Sequence, residues 1–292
     1  MQTLIEGDFF GSSGTETLSN SHNPRLRHAY IQVGGLTAGQ TWSTFTSYVL
    51  PDTIEDATNY NYIRQPQVRW SHDINSWVYD IALENPETTL TDTSSGTVGP
   101  GDDRLPDLVG RLRFYQDWGE ASASVLLRQI RQDRTLLSDG VTQRTNDDEA
   151  FGWGFGASAR INMFGKDDLR LSVIAGEGVG RYMANDAFNA GSIDNQGQID
   201  LIESWGGFAA YRHWWNDGWR SSFTYSWAEA DNNTAVTGTA VNESSQSFIA
   251  NLYWTPIPSS LIGWEYGYIE RELEDGQSGD MSLLLLRLLY NF

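Results

Sequence analysis

Short stretches in which apolar and polar residues alternate recur along the whole chain. Alternation over about ten residues is typical of a β-strand with one apolar and one polar face. The final stretch, residues 283–292, is the clearest, because Leu284, Leu286, Leu288 and Tyr290 share one face with the terminal aromatic residue. The pattern predicts fourteen strands, at residues 2–10, 25–34, 36–43, 62–72, 76–85, 107–116, 120–130, 150–163, 168–180, 199–213, 218–229, 246–255, 260–271 and 281–292.

The connections between these strands are alternately long and short. The short ones are predicted at residues 34–35, 72–75, 117–119, 165–167, 216–217 and 256–259, and the long ones are rich in Gly, Ser, Thr, Asn and Asp. Soluble β-sandwiches rarely show this rhythm, whereas a barrel with external loops and short periplasmic turns requires it. Aromatic residues gather near the short connections, as in an interfacial girdle: Trp70, Trp77, Trp118, Phe164, Trp214, Trp215, Trp219 and Trp254.

These patterns predict the fold class and the domain organisation. We expect an all-β protein, a transmembrane antiparallel β-barrel with 14 strands visible in this chain, forming a single outer-membrane domain over residues 1–292. No run approaches the roughly 18 apolar residues that a membrane-spanning helix needs. The chain begins without a recognisable secretory signal, which we take as removal or truncation.

Composition narrows the range of functions. The formal net charge of −19 argues against a nucleic-acid partner. Lysine occurs once, at Lys166, and every other basic residue is arginine, which indicates guanidinium groups held in fixed pairs. There is no cysteine, the four histidines lack metal-ligand spacing, and no cofactor or nucleophile motif is present. We therefore expect no metal, no cofactor and no enzyme activity.

Alternation also predicts which side chains face a water-filled lumen, because polar residues point inward and apolar ones face lipid. The predicted basic residues of the lumen are Arg25, Arg27, Arg69, Arg111, Arg113, Arg160, Arg170, Arg220 and Arg287. The predicted acidic ones are Glu6, Asp8, Asp80 and Glu84. Strands 120–130 and 199–213 alternate poorly, so the orientation of Arg128 and Arg212 stays open.

Two interpretations of these charges remain. Opposed basic and acidic walls would set a transverse field across a narrow pore and tune its ion selectivity. Inward guanidinium groups would then also make good carboxylate sites. Alternatively, the arginines form salt-bridge networks that only stiffen the wall.

The predicted connection at residues 44–61 is unusually hydrophobic for an external loop, with Phe45, Tyr48 and Leu50 near Pro51. Such a loop is suited to folding into the barrel as a constriction. Its acidic residues, Asp52, Glu55 and Asp56, would then line the narrowest point. The alternative is that the loop packs at the barrel rim or at a subunit contact.

Several stretches resemble one known family. The segment TLIEGDFFG near the start, GQTWSTF and LPDTIE at residues 39–45 and 50–55, and residues 151–183 are similar to the DcaP-like outer-membrane porins. The resemblance implies a homotrimer of 16-stranded barrels, with about two strands and everything upstream missing here. A complete 14-stranded barrel remains the alternative. It also implies small carboxylates, notably dicarboxylates, as preferred solutes.

The sequence thus predicts a porin of the Gram-negative outer membrane that passes small hydrophilic solutes by diffusion. The simplest interpretation of the acidic clusters in the external loops is that they are solvated charges. They could also bind divalent cations that bridge to lipopolysaccharide. Two other functions remain open. A lipase-like barrel would need a Ser–His pair near the lipid boundary, with His28 and His213 as candidates. A structural or adhesive barrel would have a plugged lumen.

Overall fold

The computed structural model describes residues 1–14, 22–54, 63–99, 103–132, 135–136, 140, 143–144, 147–183 and 187–291. Within these ranges the chain is nearly all β. Fourteen long strands form one antiparallel sheet in which every strand pairs with its neighbours in the sequence. The predicted fold class and number of strands are confirmed.

The strands are numbered along the chain. Those of the main sheet are β1 (Gln2–Gly14), β2 (His22–Val33), β3 (Leu36–Trp42), β4 (Arg64–Ile74), β5 (Trp77–Glu84), β8 (Asp107–Gln116), β9 (Gly119–Gln132), β12 (Asp148–Asn162), β13 (Asp168–Glu177), β16 (Glu203–Asn216), β17 (Trp219–Asp231), β18 (Asn242–Trp254), β19 (Ser260–Leu273) and β20 (Ser278–Tyr290). The shorter strands are β6 (Leu90–Thr91), β7 (Thr97–Val98), β10 (Thr135–Leu136), β11 (Gln143–Arg144), β14 (Gly191–Ile193) and β15 (Ile199–Leu201).

The predicted strand at residues 199–213 was wrong in its extent. Residues 199–213 divide between β15 and β16, because the backbone of Ile202 bonds elsewhere. Its carbonyl accepts a hydrogen bond from Gly178, and its N–H donates to Ala190, so this residue joins the long loops rather than a neighbouring long strand. The predicted strand 168–180 likewise ends at Glu177.

The short turns are tight and have the residues that tight turns need. Between β2 and β3 the turn contains Gly34 at a φ of +59°, and between β4 and β5 it contains Asn75 at +54°. Two-residue hairpin turns require such left-handed conformations, which Gly and Asn adopt most readily. These turns fix the register of the strands that they join.

The two faces of the main sheet differ sharply. One face carries exposed apolar side chains, including Ile5 and Leu284 at 83% exposure each and Phe151 at 64%. The opposite face, here called the inner face, carries most of the polar side chains and is covered by inward-folded segments of the chain. An apolar exposed surface facing away from a polar interior is the arrangement that a bilayer requires of a β-protein.

A second, smaller sheet forms from the long loops. We call it the cap sheet; it contains β7, β6, β14 and β15 in that order, and β6 and β14 are parallel. Leu90, Val98 and Ile193 form its core, packed against Ile130 of β9. A one-turn helix, Thr234–Thr237, lies beside it, where Ser95 donates a hydrogen bond to the carbonyl of Thr237. The helices of the described residues are too short for any of them to span a membrane.

Candidate functional site

Residues 43–54, here called the inner loop, lie against the inner face. At one end, the hydroxyl of Ser43 and the backbone N–H of Thr44 donate to Glu84 of β5, at 2.7 and 2.6 Å. Phe45 is buried and packs against Gly154 of β12, where an added Cβ would lie 2.9 Å from the ring. The missing side chain at Gly154 therefore makes room for the loop.

The far end of the inner loop reaches strands late in the sequence. Arg220 of β17 donates to Asp52 at 2.7 Å, and Arg212 of β16 lies 3.5 Å from the same carboxylate. The backbone N–H of Ile54 donates to Glu265 of β19 at 2.7 Å. Because one short segment touches strands from β5 to β19, the sheet must curve around it.

Asp52 is thus anchored by arginine charge. Burial acts to raise the pKa of its carboxyl group, but the hydrogen bond from Arg220 and the charges of Arg220, Arg212 and Arg170 bring the pKa below the ordinary 3.8. The carboxylate is ionised at neutral pH and holds the loop to the wall. Glu55 and Asp56, the other predicted acidic residues of this loop, lie outside the described residues.

Asp80 of β5 organises the arginines of β8. Its side chain is fully buried and accepts hydrogen bonds from Ser71 at 2.6 Å, from Nε of Arg111 at 3.0 Å and from Nε of Arg113 at 3.1 Å. Both guanidinium groups are held from behind by one carboxylate, so their planes are fixed. Arg69 of β4 lies beside them, and its positive charge repels that of Arg111.

Together with these three residues, five further arginines occupy the part of the inner face nearer the short turns. We call the set the arginine belt; its members are Arg69, Arg111, Arg113, Arg160, Arg170, Arg212, Arg220 and Arg287. Six of them share four carboxylates: Asp80, Glu120, Asp168 and Asp52. Even with Asp73 and Glu265 added, the arginines of the belt outnumber the carboxylates beside them in the described part of the chain.

The four predicted residues of the first hairpin lie elsewhere. Arg25 bonds to Asp8 at 2.6 Å and Arg27 bonds to Glu6 at 2.7 Å, next to the long connection between β1 and β2. These acids, like Asp80, contact the arginines beside them. Of the two interpretations, these pairs favour salt bridges along the wall, because cross-strand register places opposite charges side by side.

A buried polar network near the cap sheet was missed. We call it the cap cluster; it consists of Gln65, Glu84, Asp107, Arg128 and Tyr182. The Tyr182 hydroxyl donates to Asp107 at 2.8 Å, and Gln65 joins Tyr182 to Glu84. Arg128 is fully buried, lies 3.6 Å from Asp107 and donates to the carbonyls of residues 87, 178 and 179. In the sequence, only the poor alternation of the predicted strand 120–130 indicated this cluster.

A Ser–His–Asp arrangement occurs at the outer surface near the short turns. His213 of β16 stands opposite Ser221 of β17, and Nδ1 of His213 lies 2.7 Å from Asp167. Within the described residues, however, Ser221 accepts from the indole of Trp215 rather than bonding to the imidazole. Hydrogen bonds from Tyr211, Trp214 and His213 lower the pKa of Asp167 to about 2. Among all the residues that the structure describes, no group of three or more acidic or histidine side chains is placed to hold a metal.

Comparison with known proteins adds family evidence. The family described as "DcaP outer membrane protein" matches residues 1–292. No curated protein sequence matches the chain.

Solved structures of outer-membrane proteins share its fold. The outer membrane channel DcaP of Acinetobacter baumannii aligns with a TM-score of 0.82 and 23% identity, covering 99% of this chain and 79% of that one. The anion-selective porin from Comamonas acidovorans aligns at 0.58 and 10% identity, covering 99% and 84%. OmpT of Vibrio cholerae, in a trimer form, aligns at 0.55 and 10% identity, covering 94% and 83%. At such identities the likeness establishes the fold alone.

Proposed function

The chain belongs to the DcaP outer membrane protein family, and on that premise we propose that its pore favours small anions, above all carboxylates. It is a porin of the Gram-negative outer membrane. Its polar inner face is suited to the passage of small hydrophilic solutes down their gradients. The preference for anions over cations is our proposal, and the arginine belt supports it.

The single observation that carries this proposal is the excess of guanidinium groups over carboxylates in the belt. A fixed excess of positive charge in a narrow aqueous passage between low-dielectric walls raises the local concentration of anions. Guanidinium groups also match the geometry of a carboxylate. The belt would attract anions although the protein as a whole carries a formal charge of −19.

We further propose that the inner loop is the constriction of the pore. At one end of the loop Ser43 bonds to Glu84, and at the other end Asp52 accepts from Arg220. These bonds hold the loop across the inner face. Its only described acidic side chain is Asp52, which arginines neutralise. The loop would therefore narrow the passage without removing its positive character.

The remaining parts of the function are proposals as well. We propose a homotrimer, in keeping with the trimer form of OmpT of Vibrio cholerae, and a surface that meets lipid and lipopolysaccharide. We propose no catalysis, because Ser221 bonds to Trp215 rather than to His213. Release of fatty acid from phospholipid by the purified protein would contradict this last point.

The anion preference is tested by replacing Arg69 and Arg113 with Ser in the full-length protein. Loss of two of the eight positive charges should lower the permeability of chloride relative to potassium in planar bilayers. Arg271→Ser is the matched control, since Arg271 is exposed and lies at the far end of β19. An unchanged reversal potential in the double variant would remove both residues from the selectivity mechanism.

A further inference from the structure

A chamber lies between the inner loop and the arginine belt. It has a volume of about 260 Å³ and is bounded by Arg69, Arg111 and Arg113 on the wall. The loop side is formed in part by Thr46 and Tyr48. The chamber therefore joins a cationic wall to an aromatic ring.

Arg69 has an unmet hydrogen-bonding requirement. Its Nε is buried, and within the described residues it has no hydrogen-bond partner. A buried donor without an acceptor is costly, and more so when it carries charge. An anion in the chamber would supply the acceptor that the fold does not.

The carboxylate that bonds to this wall is already engaged. Asp80 is fully buried and accepts from Ser71, Arg111 and Arg113, so its oxygens are occupied by the neighbours of Arg69. Among the described residues, Asp80 bonds to Arg111 and Arg113 but not to Arg69, so three guanidinium groups surround the chamber with one carboxylate behind them. The excess of positive charge calls for an anionic occupant.

Tyr48 gives the chamber a second kind of surface. Its side chain is 42% exposed although it lies on the inner loop. The guanidinium groups of Arg113 and Arg111 lie 4.6 and 5.5 Å from its ring centroid, and Tyr115 contacts its edge. These neighbours hold the ring in place and leave part of it open to a flat apolar partner.

We propose that the chamber binds aromatic carboxylates, with the carboxylate group on Arg69 and the ring against Tyr48. The proposal deepens the anion-favouring function and rests on it. A bare inorganic anion would use only the arginines, and an uncharged aromatic molecule only the tyrosine. An aryl carboxylate uses both.

The test is single-channel recording of the full-length protein in planar bilayers with added benzoate or cyclohexanecarboxylate. These anions share charge and approximate size, but only benzoate has an aromatic face. Benzoate should reduce the chloride current at a concentration roughly fivefold lower, as expected for one aromatic contact. Tyr48→Leu should abolish that difference, whereas Arg69→Gln should weaken the effect of both anions.

Two further variants keep the test decisive. Tyr48→Phe retains the ring and should retain the preference for benzoate, so its loss in that variant would contradict the stacking contact. Tyr79→Leu replaces a similarly exposed tyrosine on the outer face and should change nothing. Equal potency of benzoate and cyclohexanecarboxylate on the unmodified protein would overturn the proposal. Absence of chloride preference in KCl would instead overturn the proposed function.

Discussion

The arginine belt and the cap cluster use the same residue type in opposite ways. In the cap cluster, Arg128 and Asp107 are both fully buried, and the arginine also satisfies loop carbonyls. In the belt, Arg113 and Arg160 keep 15% and 39% of their side chains exposed, and guanidinium groups outnumber carboxylates. The cap cluster holds loops together, whereas in our proposal the belt presents its charge to the pore. The number of arginines alone therefore says little about selectivity.

The largest expected loss of stability follows from replacing Arg128 of the cap cluster. Replacing Arg128 with Met leaves Asp107 buried without its positive partner, which should lower the free energy of unfolding by about 3 kcal/mol. Urea unfolding of the refolded protein in detergent, followed by tryptophan fluorescence, measures this. Arg271→Met is the control and should leave the midpoint almost unchanged. Equal midpoints for the two variants would show that the cap cluster does not fasten the loops.

The second prediction concerns the link between the belt and the inner loop. Hydrogen bonds to a charged group contribute about 2 kcal/mol, so Asp52→Asn should loosen the loop and raise the single-channel conductance. Burial acts to raise the pKa of Asp52, but the hydrogen bond from Arg220 and the charges of Arg220 and Arg212 bring its folded pKa below the unfolded value. Their stabilising effect is therefore complete at pH values above the ordinary 3.8 and is lost as the pH falls through the folded pKa.

Acidification consequently provides a graded version of the same change. The conductance of the unmodified protein should stay constant as the pH falls from neutral and should rise only under strongly acidic conditions. Asp52→Asn should show the higher conductance already at neutral pH, without that rise. A variant that behaves like the unmodified protein at every pH would disconnect Asp52 from the constriction.

The smallest change in ion selectivity is expected from charges at the long-loop end of the sheet, far from the belt. Glu203, Glu229, Asp231, Glu243 and Glu274 line a groove there, and their like charges repel one another. Exposed charges are screened over about 10 Å at 0.1 M salt. Replacing Glu243 and Glu274 with Gln should therefore favour anions slightly in dilute KCl and not in 1 M KCl. A change that persists at 1 M would mean that the rim shares in selectivity.

Much of the fold could be predicted from residue patterns. Alternation identified all fourteen long strands, because a wall between lipid and water places strict demands on each side chain of a strand. It failed at residue 202, where the backbone bonds to loops. The cap sheet could not be predicted, because its strands have two or three residues and depend on contacts between loops distant in sequence.

The site was predictable to a smaller extent. Period-two alternation fixes the face on which Arg69 and Arg113 lie, but it carries no information about their partners. The link from Asp52 to Arg220 spans 168 residues and depends on the path of the inner loop. Arg128 lies on a strand whose neighbours include Leu126 and Ile130 on the same inward face, so the polar alternation is lost where loops cover the wall.

The central claim is that the arginine belt gives a net-acidic protein an anion-favouring pore. Its most direct test is the reversal potential of the full-length protein in a planar bilayer under a tenfold KCl gradient. We expect a potential of the sign that chloride preference produces, diminished when Arg69 and Arg113 are replaced by Ser. A potential of the opposite sign, or one of zero that the replacement leaves unchanged, would contradict the claim.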